Sequence, residues 1–172
     1  IDTYDEGDYC LGEQEIRNLS ESKLARIRNE HIGLVMQDYA LVEDFTVFDN
    51  VMLPLNLARK KQKNRKQIAM EALEKVEMNE FAKKKVSELS GGQKQRTAIA
   101  RAIVNEPDVL LADEPTGALD SENAETVMAL FRKINEDGTT VVIVTHDGDL
   151  AQCCDRIIEI RDGEIVEDGL SK

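Results

Sequence analysis

Asp113 and Glu114 follow four consecutive apolar residues, Val109-Leu110-Leu111-Ala112, and precede Pro115. A run so short and unbroken reads as a strand buried on both faces of a parallel sheet, whose carboxyl end opens into a site. Placed there, Asp113 can hold Mg²⁺ and Glu114 can orient or deprotonate a water. Upstream, Ser90-Gly91-Gly92-Gln93 opens a segment in which Ala98, Ile99, Ala102 and Ile103 recur at helical spacing. A helix starting there turns its free N–H groups and the positive end of its dipole outward, with no side chain on Gly91 or Gly92 to block a close approach. The ligand that suits such a helix start is an anion, and a phosphate beside a carboxylate-bound cation would satisfy both halves.

Ser-Gly-Gly alone is a common turn and Asp-Glu-Pro a common solvated loop, so the conjunction carries the meaning. The octet from Leu89 to Arg96 resembles the signature motif of the ATP-binding cassette (ABC) family, Val109 to Glu114 its Walker B strand, and Thr116 to Asp120 its D-loop. Gln37, closing Ile32-Gly33-Leu34-Val35-Met36, is similar to the family's Q-loop glutamine, and His146, closing Thr140 to Thr145, to its switch histidine. The resemblance runs over nearly the whole chain from about Gly33 onward.

What the resemblance implies can be stated residue by residue. The fold is α/β, a P-loop NTPase-like parallel sheet, truncated, with a helical subdomain. Residues 1–42 would form part of the core up to the Q-loop, 43–104 the helical subdomain with the signature, and 105–172 the core with Walker B, D-loop and switch histidine. Glu114, His146 and Gln37 would be catalytic, with Asp113 and Gln37 at the Mg²⁺. Ser90, Gly91, Gly92 and Gln93 would bind ATP, and Ala118, Leu119 and Asp120 would meet a second ATP-binding subunit in a dimer. The other partner would be a transmembrane permease, placing the protein in the cytoplasm on the inner face of the cell membrane. Pro115 to Asp120 and Leu53-Pro54-Leu55 look most like the branch serving macrolide export and lipoprotein release.

One family element is missing. The P-loop pattern G-x-x-x-x-G-K-[ST] wraps backbone N–H groups and a lysine around phosphates, and no glycine of this chain is followed by lysine. The resemblance places that loop upstream, on a strand expected between the Walker B strand and the strand carrying His146. The chain, which begins at Ile1, is therefore read as a C-terminal portion, inactive alone as an ATPase. Its sheet is expected to close up with altered pairing or to borrow a strand. A non-catalytic fragment lending signature and D-loop to a partner is the alternative.

Composition narrows the classes further. The 172 residues carry a net charge of −12, which opposes a sequence-independent grip on nucleic acid. No heptad coiled coil interrupts the motifs, as it would in a chromosome-maintenance ATPase of the same superfamily. Aromatics are 4% and Trp is absent, so the core must be aliphatic. Cys10, Cys153 and Cys154 form neither a disulfide framework nor a zinc spacing. No apolar run approaches the roughly 20 residues that span a bilayer.

Several elements must position these groups. Residues 1–16 suggest a short β segment near Tyr9 to Leu11. Ser20 caps a short helix marked by Leu24, Ile27 and Arg28 that ends before His31, an ordinary boundary histidine. Phe45 to Val51 lead into a helix that Pro54 interrupts or begins anew, with Phe45, Val47 and Phe48 facing either a partner or the core. The basic run Arg59, Lys60, Lys61, Lys63, Arg65 and Lys66, like Lys83-Lys84-Lys85, reads as solvated or as a contact for anionic headgroups. Ile68, Ala72, Leu73 and Val76 make an amphipathic helix between them. Asp120 or Ser121 caps a helix striped by Ala124, Val127, Met128, Phe131 and Ile134 and ended by Asp137-Gly138. A buried strand, Val141 to Val144, then presents His146, and Asp162-Gly163 turns a hairpin between Arg156–Ile160 and Glu164–Val166.

Overall fold

The strands that carry the motif residues lie side by side. In the computed structural model, which describes residues 6–12, 14–17, 19–58 and 63–170, β3 (Ile32–Val35), β4 (Val109–Asp113) and β5 (Thr140–Val144) form one three-stranded sheet in the order β3-β4-β5. Both pairings are parallel, with Val35 opposite Ala112 and Asp113 opposite Val144. All three strands therefore end on the same side, where Gln37, Glu114 and His146 follow them.

Strand periodicity divides this sheet into unlike faces. Val35, Leu110 and Ala112 are buried and belong to one aliphatic cluster with Ile99, Ile103, Val127 and Phe131. These last come from α4 (Gly91–Ile103) and α5 (Ser121–Glu136), which cover that face. Gly33 belongs to it too, since a Cβ there would stand 2.6 Å from the Ala102 carbonyl oxygen and 2.8 Å from Leu110 Cδ1. On the other face Leu34, Val142 and Val144 are 50%, 42% and 60% exposed. The expectation that Val141 to Val144 is buried is thus corrected: β5 alternates because one face alone is covered. The expected slot between the Walker B strand and the strand of His146 is corrected as well. These strands hydrogen-bond each other directly, with no strand between them.

The helical half is built on α2 (Val47–Leu57), α3 (Arg65–Lys75) and α4. Thr46 caps α2, its Oγ1 accepting from Asp49 N at 3.0 Å. The helix runs through Pro54 without a break, which corrects the expected interruption. Burial explains why: Val47, Val51 and Leu55 are fully buried on one side of it, and Asn29 Nδ2 donates to the Pro54 carbonyl at 3.2 Å. Together these outweigh the proline's missing donor. Val47 enters the core, Phe48 packs against it, and Phe45 is 42% exposed. Ala72, Leu73 and Val76 are buried as the spacing of α3 predicts, followed by 3-10 turns at Asn79–Phe81 and Val86–Glu88.

The remaining elements are shorter. β1 (Cys10–Leu11) and β2 (Gln14–Glu15) pair antiparallel, and α1 (Glu21–His31) extends through His31 rather than stopping before it. There His31 Nδ1 meets Asp108 Oδ2 at 2.8 Å, a contact 77 residues away that local signals cannot announce. After α6 (Gly148–Ala151), β6 (Arg156–Arg161) and β7 (Glu164–Leu170) form the expected hairpin, turned by Asp162 and Gly163 at φ 52° and 82°. Residues 1–5 of the acidic N-terminal stretch and Arg59, Lys60 and Lys61 of the basic run lie outside the described residues. No helix among the described residues is long and apolar enough to cross a membrane.

Candidate functional site

Glu114 is the first residue past β4, and it is bent away from the strand by a left-handed backbone, φ 43°. Its N–H still reaches across to the Val144 carbonyl at 2.9 Å, so the bend starts at the last rung of the ladder. The bend aims the carboxylate at the end of β5. There Oε1 accepts from the His146 backbone N–H at 2.8 Å and meets its Nδ1 at 2.6 Å, while Oε2 accepts from Thr145 Oγ1 at 3.0 Å. Thr145 Oγ1 in turn accepts from Asp147 N at 3.0 Å. Burial pushes the Glu114 carboxyl up, but the hydrogen bonds from His146 and Thr145 outweigh it and hold the group below the usual carboxylate range. The result is an ionised carboxylate fixed in direction at the mouth of a parallel sheet.

Asp113, next to it, is exposed and makes no side-chain hydrogen bond among the described residues. A free carboxylate at a strand end offers the hard oxygen donor that Mg²⁺ takes, and leaves positions for water and phosphate oxygens. Gln37 lies across the mouth, its Nε2 being 3.6 Å from where a Cβ on Gly117 would stand. Asp113, Glu114, His146 and Gln37 are thus gathered at one end of the sheet.

The helix start at Ser90 is a separate construction. Ser90 Oγ accepts from Gln93 N at 3.3 Å and Ser90 N donates to Gln93 Oε1 at 3.1 Å, a reciprocal capping box. Gln93 therefore spends its carbonyl oxygen within the motif. Gly91 is exposed, whereas Gly92 is buried, because a Cβ on it would fall 2.0 Å from Asn123 Oδ1 of α5. The open approach expected at both glycines exists at Gly91, and at Gly92 the absent side chain admits α5 instead. Asp120 caps α5, accepting from Asn123 N at 2.9 Å, and Asn123 holds it below its ordinary range. Ala118 and Asp120 are exposed and Leu119 partly so. Ser90 and Gln93 bond each other and neither Glu114 nor His146.

Sequence reasoning missed the groups that tie these parts together. Buried Gln95 donates from Nε2 to the Pro115 carbonyl at 2.7 Å, joining the Ser90 helix to the turn after Glu114. Thr145, beside His146, was the easier one to foresee, being a hydroxyl at a strand end.

A family model described as "ABC transporter" matches residues 2–117. The chain belongs to the ABC transporter family, among its ATP-binding proteins. An uncharacterized ABC transporter ATP-binding protein of Bacillus subtilis, YvrO, is 47% identical over 168 residues, covering 98% of this chain and 73% of that protein. The macrolide export ATP-binding/permease protein MacB of Escherichia coli is 44% identical over 98% of this chain, which spans 26% of MacB. Among solved structures, the ATP-binding cassette MJ0796, in a dimeric post-hydrolysis state bound to ADP and Pi, matches with a TM-score of 0.84 and 41% identity. That match covers 97% of this chain and 74% of the other. Such likeness confirms the α/β cassette fold and is incompatible with a rearranged sheet. Full-length members of the family bind and hydrolyse ATP.

Proposed function

We propose that this chain is the ATP-binding subunit of an exporter, coupling hydrolysis of MgATP to transport through a membrane permease. The single observation that carries the catalytic assignment is the Glu114 carboxylate clamped by His146 and Thr145 at the end of β4. In this reading Glu114 takes the proton of the attacking water, and His146 holds Glu114 and the γ-phosphate in line. Asp113 and Gln37 hold Mg²⁺, which neutralises charge on the phosphates when bound. Ser90, Gly91, Gly92 and Gln93 contact the ATP of a second subunit, and Ala118, Leu119 and Asp120 form the dimer contact. MacB supports a permease of the macrolide-export type, and the dimeric cassette supports the second subunit. The protein then works in the cytoplasm against the inner face of the membrane, with residues 1–42, 43–104 and 105–172 as its working units.

The pattern G-x-x-x-x-G-K-[ST] is absent from these 172 residues, so a chain of these residues alone holds no MgATP and hydrolyses none. Calorimetry is the test: no heat of MgATP binding to the chain by itself, and saturable binding once a segment supplying the P-loop is added. In that completed protein Glu114→Gln is expected to drop turnover to background and leave ATP binding intact. Binding by the chain alone would overturn the site assignment. A second role, lending signature and D-loop to a partner's ATP without hydrolysis, is favoured by the same missing lysine. Stimulation of a partner's ATPase by Glu114→Gln as well as by the parent chain distinguishes it.

A further inference from the structure

The segment after Gln37 contains two successive left-handed residues, Tyr39 at φ 64° and Ala40 at φ 45°. Neither is glycine, asparagine or aspartate, so each Cβ crowds its own backbone, and such a pair persists only where its surroundings over-determine it. The surroundings here belong to α4. Arg101 Nη2 donates to the Tyr39 carbonyl at 2.9 Å and Nη1 of the same guanidinium donates to the Ala40 carbonyl. One planar fork therefore fixes the orientation of two consecutive peptide groups, which a single-point donor cannot do. At the far end of the same helix the Tyr39 hydroxyl stands 3.2 Å from the place of a Cβ on Gly91. Further along the segment, buried Asn50 of α2 accepts from Val42 N at 2.8 Å and donates to Val42 O and Thr46 O at 3.0 Å each. Within the turn itself, Tyr39 N donates to Met36 O, just past β3, at 3.0 Å.

We propose that Arg101 is a positioning residue that fixes the segment bearing Gln37 to the signature helix, so that Gln37 takes its place from α4 as well as from β3. The consequence for the site rests on the reading of Gln37 given under Proposed function. A shift of α4 is then felt at the Mg²⁺ ligand through this fork as well as through the sheet on which α4 packs.

The test is amide hydrogen exchange, read by NMR on the whole chain. Arg101→Lys keeps the charge and the aliphatic stem but loses the fork. It is expected to speed exchange at the hydrogen-bonded amides of Tyr39 and Val42 by about tenfold or more, leaving those of β4 and of the α4 interior unchanged. Adding Ala40→Gly, which removes the Cβ from the strained position, should return most of that protection. Unchanged exchange at Tyr39 and Val42 in Arg101→Lys overturns the proposal. A rise shared equally by β4 and α4, or one that Ala40→Gly leaves untouched, overturns it too, since Arg101 would then be supporting the fold at large. In the protein completed with a P-loop segment, an MgATP affinity unaffected by Gln37→Ala would sink the reading of Gln37 as a ligand, and the exchange result would stand apart from it.

Discussion

The helical half and the C-terminal hairpin use similar apolar residues to opposite ends. In the first, Val47, Val51, Leu55, Leu73, Val76, Met78 and Val86 are all fully buried. In the second, Ile158, Ile160, Ile165, Val166 and Leu170 are 45% to 81% exposed. The hairpin is held by its ladder and by a fork of Arg156 on Asp168 at 2.6 and 2.7 Å, and a lone two-stranded ribbon is marginal in water. An apolar residue therefore stabilises this protein according to what its element lies against, and the two regions should respond to mutation very differently.

The sharpest way to break that contrast is to truncate one residue in each region and measure denaturant unfolding. Leu73→Ala is expected to cost about 2–5 kcal/mol, and Ile160→Ala no more than about 0.5 kcal/mol; equal costs would mean the hairpin packs on something after all. Next in size, Gly33→Ala sets a methyl against the Ala102 backbone and should cost about 1–3 kcal/mol, because a carbonyl of α4 cannot swing away as a side chain could. Ser90→Ala removes half of the capping box and should cost about 1 kcal/mol.

The smallest effect is that of pH. Glu114 and Asp120 are both held below their ordinary values in the fold, while in the unfolded chain they titrate near about 4. The stability they contribute is complete above that range and is lost as the pH falls through their folded values. Unfolding midpoints followed from pH 6 down to about 3 should decline less steeply in Asp120→Asn, which keeps a cap and removes the titration.

Where structure follows from neighbours in sequence, it was legible. Asp120, the stripe through Val127 and Phe131, and Asp137-Gly138 delimit α5 as observed, because caps and periodicity act within a few residues. The continuous helix through Pro54 was not legible, since it depends on Asn29 and on a core assembled from distant segments. Nor was the direct pairing of β4 with β5, because strand order leaves no trace in periodicity. The candidate site divides in the same way. Asp113 closes its strand and Glu114, Gln37 and His146 lie within two residues of the ends of theirs; the two acids were read as strand-end residues, and Gln37 and His146 were picked out by the resemblance. Gln95, Arg101 and Tyr39 act across gaps of 20 to 62 residues, as buried or half-buried polar groups whose partners no local pattern names.

The outer margin of β5 has a consequence for how this protein behaves in company. Among the described residues β5 pairs with β4 alone, so the N–H and C=O groups along its other side are unclaimed by any strand, with Val142 and Val144 open beside them. An extended segment laid there in parallel would lengthen the sheet by one strand and arrive beside His146. Two molecules meeting at this margin would satisfy each other's backbone as readily as their own, so self-association should rise with concentration, and a charged or proline residue at position 142 should suppress it.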